Sequence, residues 1–92
     1  LVAAGIAAGV HHGLRNKIDP GRMVTEGAAV KLKTRIPDRW DAAINKFARS
    51  QVLPGYLGER FCRYYALNRR GEERQFHSTV SPTDFDWYLR AV

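Results

Sequence analysis

Between Ile6 and Leu14 a branched apolar residue recurs every fourth position (Ile6, Val10, Leu14), and much of the surrounding surface is alanine or glycine (Ala3, Ala4, Gly5, Ala7, Ala8, Gly9). The four-residue period predicts a helix over residues 1–15. Small side chains on several faces let neighbouring backbones approach closely. Each glycine also costs about 1 kcal/mol in a helix relative to alanine. Such a helix holds its shape only when packed on more than one side, so it is expected to be buried. The rest of a 92-residue chain offers little material to surround it. At 45% hydrophobic residues the sequence is that of a folded protein, one small domain at most, whose own core is marginal. The first residue is Leu1 rather than Met, which fits a chain that begins inside a longer protein; a trimmed start would look the same.

Residues 16–37 lack a helical pattern. Asp19-Pro20-Gly21 signals a turn. Val30, Leu32, Thr34 and Ile36 then alternate with Lys31, Lys33 and Arg35, which predicts an extended segment with one basic face that either pairs with a partner outside this chain or lies as an extended loop. A helix is predicted over 38–50, with Asp38 as cap and Asp41 in capping-box position. Its apolar stripe is Trp40, Ala43, Ile44, Phe47 and Ala48. A longer helix is predicted over 55–78, with Leu57, Phe61, Tyr64, Tyr65 and Asn68 on one side and Gly71 as a possible break. Ser81, Pro82 and Asp84 form an N-terminal signature for a last helix. Phe85, Tyr88, Leu89 and Val92 then fall at i, i+3, i+4 and i+7, an apolar face at the end of the chain.

No catalytic constellation emerges. His11 and His12 are adjacent on a helix, so they point about 100° apart and are poorly placed to share a metal. His77 stands alone in the sequence, and phosphate-loop, zinc-protease and nucleophile-elbow spacings are absent. The one cysteine, Cys62, lies in an aromatic stretch and reads as a half-buried helix thiol. The only long apolar run, Leu1 to Val10, is half the roughly 20 residues needed to span a membrane and has no basic segment before it. A soluble cytoplasmic protein without membrane contact is therefore expected. The net charge of +6 admits nucleic acid as a partner, and Arg60, Phe61, Arg63, Tyr64, Tyr65, Arg69 and Arg70 interleave cations with rings. Packing on the helix stripe explains those rings more simply, and the basic residues are scattered along the chain. A standalone basic helical module that binds nucleic acid or a protein remains the alternative reading.

Several stretches, in order, resemble the glutamine synthetase family. Ala7 to Gly21 is similar to that family's small-residue helix running into an Asn-Lys-Ile and Pro-Gly turn (here Asn16-Lys17-Ile18 and Pro20-Gly21). Ile36 to Trp40 resembles its proline-led entry into an amphipathic helix. Tyr56 to Cys62 is similar to a stretch of the gamma-glutamylpolyamine synthetase branch, and Val80 to Leu89 resembles the family's ending. The pair His11-His12 is one residue longer than the usual spacing, and 22–35 lacks the tyrosine that some bacterial members carry as a modification site.

The resemblance implies a mainly α chain, residues 1–92 being the helical C-terminal portion of an α+β glutamine synthetase-like catalytic domain and an incomplete domain by themselves. It implies a full-length ligase that uses ATP and Mg2+ or Mn2+ to join glutamate's side-chain carboxylate to ammonia or an amine through a gamma-glutamyl phosphate. The family's catalytic, nucleotide and metal motifs lie upstream of the helix that Leu1 to Arg15 resembles. No catalytic, cofactor or metal role is carried over, and the chain alone is expected to be inactive. The family assembles as stacked rings, and in several members the C-terminal segment inserts into the opposite ring. Phe85, Tyr88, Leu89 and Val92 are thus candidate subunit-interface residues, the alternative being that the last helix packs on its own subunit.

Overall fold

A computed structural model describes residues 1–23, 25 and 36–90. Five α-helices follow one another: α1 Val2–Arg15, α2 Trp40–Ala48, α3 Leu53–Leu57, α4 Glu59–Ser78 and α5 Pro82–Asp84, the last continuing into a π-helical turn, Phe85–Leu89. No strand occurs among the described residues. The chain is mainly α, as the sequence implied. Of the extended segment read from Val30 to Ile36, all but the exposed Ile36 lies outside the described residues.

The ends of α1 follow local rules. Lys17 adopts φ 49°, and the amides of Lys17 and Ile18 donate back to the carbonyls of Leu14 (3.3 Å) and Gly13 (3.0 Å), a Schellman closure. The Asn16 side-chain amide donates to the His12 carbonyl at 2.9 Å. The turn read at Asp19-Pro20-Gly21 is present, with the Gly21 amide donating to the Asp19 carboxylate at 2.8 Å.

Packing centres on α2 and α4. Ile44 of α2 is buried, and so are Cys62 and Ala66 of α4. Phe47 meets Tyr65 with ring centroids 5.1 Å apart, and Trp40 meets Phe76 at 5.7 Å. The Arg70 guanidinium donates to the Asn45 side-chain oxygen at 3.0 Å across the same contact. The floor of this contact is made of small residues. Of the aromatic side read on α4, Tyr65 packs inward, whereas Tyr64 is exposed and lies beneath Arg60.

Three expectations need correcting. The helix over 55–78 is two helices: α3 starts at Leu53, and the chain breaks at Gly58 (φ 88°, ψ 139°), a conformation glycine adopts freely. Gly71 does not break α4. Asp38 does not cap α2; Arg39 occupies that position without a side-chain cap, and Asp41 pairs with Arg39 at 3.2 Å. Finally, α1 is not enclosed. It docks on α3 through Ala8 and the His11–Tyr56 contact, while Ile6, Val10 and Leu14 are 64%, 57% and 76% exposed. On the small-residue face Ala8 is buried, whereas Gly5 and Gly9 meet open space, and the branched face is exposed.

The chain exposes 8657 Å². A compact monomer of its 10.4 kDa mass would expose roughly 5,400 Å². The described elements do not close a core among themselves.

Two glycines give opposite expectations. Gly58→Ala forces an alanine to a strained φ and should destabilise the α3–α4 junction by about 1–3 kcal/mol. Gly71→Ala has open space around the new methyl and should stabilise α4 by about 0.5–1 kcal/mol. Amide exchange along α4 reads both. Ile44→Ala should cost about 2 kcal/mol and speed exchange in α2 and α4 together.

Candidate functional site

The segment after α4 is organised by one capping box. The Ser81 side chain accepts from the Asp84 amide at 3.2 Å, and the Asp84 carboxylate accepts from the Ser81 amide at 2.9 Å and its hydroxyl at 2.8 Å. Pro82 sits in the first turn, where its missing N–H costs nothing. The sequence signature therefore folds as read, but the helix it starts is short. After Asp84 the chain widens into the π turn, whose i→i+5 repeat differs from the α-helical one.

That change matters for the candidate interface residues. Phe85, Tyr88 and Leu89 are 55%, 69% and 64% exposed. In the wider turn the i, i+3, i+4 spacing no longer defines one narrow stripe. Trp87 is also exposed and joins the apolar surface, although it lies off the stripe read from the sequence. Its only signal in the sequence was its size. Val92 lies outside the described residues. Arg90 pairs with Asp86 at 3.6 Å, an exposed contact of small energetic weight.

The polar clusters elsewhere are structural. Ser81, Asp84 and His77 line one hollow with Phe76 and Thr79, a composition suggestive of a nucleophile, base and acid. Their bonds say otherwise, because the Ser81 hydroxyl donates to Asp84 and the nearest carboxylate to His77 is Glu73 at 4.0 Å. His11 is bound to the Tyr56 hydroxyl, and His12 lies 3.2 Å from the Asn16 side chain. Glu72 pairs with Arg69 at 2.7 Å. Among the described residues no three His, Cys, Asp or Glu side chains converge where a metal ion could sit. Cys62 is buried in the α4 contact, more fully than the sequence suggested. No described helix is long and apolar enough to cross a membrane.

A groove of about 530 Å³ runs between α2, α3 and α4. Cys62 and Ala66 form its buried floor, while Glu59, Arg63, Leu67 and Arg70 are exposed along it. A smaller apolar groove of about 230 Å³ lies between Trp40, Phe47 and Tyr65, where the Arg69 guanidinium stacks 5.0 Å from the Tyr65 centroid. Tyr65 is thereby committed to packing and unavailable to a base.

These helices align with one family along almost the whole chain. Residues 1–88 match the model of the glutamine synthetase catalytic domain, and the chain belongs to that family. It is 35% identical over 91 residues to the gamma-glutamylputrescine synthetase PuuA of Escherichia coli (strain K12), an alignment covering 98% of this chain and 19% of the relative. It is 28% identical over 96 residues to the type-1 glutamine synthetase 2 of Dictyostelium discoideum, covering 99% of this chain and 18% of that relative. The chain thus spans about a fifth of the length of these curated relatives. No solved structure matches it significantly.

The capping box makes the terminal turn sensitive to acid. The hydrogen bonds from the Ser81 amide and hydroxyl hold the Asp84 carboxyl below the usual carboxylate range. A folded-state pKa below the unfolded one means that the stabilisation is complete above the ordinary carboxylate pKa and is lost as pH falls through the depressed value. Exchange of the Asp84 and Phe85 amides should therefore accelerate, relative to intrinsic rates, on acidification. Ser81→Ala and Asp84→Asn should each weaken protection already at neutral pH, and Asp84→Asn should abolish the acid step.

Proposed function

We propose that this chain is the helical C-terminal portion of the catalytic domain of an ATP-dependent ligase that joins the side-chain carboxylate of glutamate to an amine. The observation that carries the reading is the family match over residues 1–88. In such a reaction ATP phosphorylates the carboxylate, the amine attacks the acyl phosphate, and inorganic phosphate leaves. The higher identity to a gamma-glutamylputrescine synthetase than to a type-1 glutamine synthetase favours a polyamine-type amine over ammonia.

The chain's own part in this reaction is structural. The described residues do not fit a Mg2+ or Mn2+ site, because Glu72, Asp84 and Asp86 are engaged with Arg69, Ser81 and Arg90, and Glu73 lies beside His77. Metal and nucleotide would be held by other parts of a full-length protein, in the cytoplasm, with these helices shaping the domain around them. The exposed stripe of Ile6, Val10 and Leu14 suits a helix covered by the rest of such a domain. The terminal turn with Phe85, Tyr88 and Leu89, and Val92 beyond it, suits a contact between stacked rings.

Phosphate release by the full-length protein tests the activity. It should require ATP, glutamate and an amine together, and putrescine should support it better than ammonium. Release that is indifferent to every amine would overturn the ligase reading, and equal use of ammonium would overturn the polyamine preference. The isolated 92 residues should show no release. For assembly, Leu89→Asp in the full-length protein should split stacked rings into single ones by light scattering, and an unchanged mass would remove the terminal turn from the interface.

A further inference from the structure

We draw no further inference here: the strongest candidate, the groove between α2, α3 and α4 flanked by Arg63 and Arg70, is an unpartnered face, and nothing in the structure shows what covers it.

Discussion

The contact between α2 and α4 is the constraint on which the rest of the arrangement depends. Ile44 is seated against α4 at a place where that helix offers cysteine and alanine in place of larger side chains. A close approach follows, and the larger rings are pushed to the flanks, where Phe47 meets Tyr65 and Trp40 meets Phe76. Phe61 stacks on Tyr65 behind them, with centroids 5.8 Å apart. The aromatic pairs thus fix the direction of α2 along α4, while the small residues fix its distance. α3 is joined to α4 through Gly58 and in turn carries α1. Among the described helices the contacts run as a series, α2 on α4, α4 with α3 and α3 with α1.

Most of the local structure was legible in the sequence because local rules govern it. Ser81, Pro82 and Asp84 announce a capping box, and the bonds are formed as the residue types demand. Period-four spacing located α1, and the Trp40-to-Phe47 stripe located α2. What the sequence left obscure depended on the surroundings. Glycine at 58 and glycine at 71 look alike on paper. Only the backbone shows that the first takes a positive φ and the second stays helical. Likewise, periodicity marks Ile6, Val10 and Leu14 as a face that seeks cover, but it cannot say whether nearby residues supply it. The π turn was hidden for a similar reason, since nothing in the order Phe-Asp-Trp-Tyr-Leu dictates an i→i+5 repeat.

The chain belongs to the glutamine synthetase family, and among its described residues no three His, Cys, Asp or Glu side chains converge on a metal position. A phosphoryl-transfer site needs several cations and carboxylates converging on one point in a water-poor setting. Here Arg69 pairs with Glu72, His77 lies beside Glu73, and Asp84 is held in the cap of α5. Among the described residues the buried ones are Ala8, Ile44, Cys62 and Ala66, all without charge. On the proposed reading such a segment contributes shape. In a ligase its energetic influence on the chemistry would pass through the position of its neighbours, and a change such as Ile44→Ala would act on that position.

The cap at Ser81 closes on itself within four residues, and it asks nothing of α1 to α4. The terminal turn therefore carries its own shape wherever it goes. A segment already ordered by local bonds loses less conformational freedom when another surface closes over it than a loose tail of the same composition would. Protonation of a single carboxylate at Asp84 removes that advantage without disturbing any apolar residue.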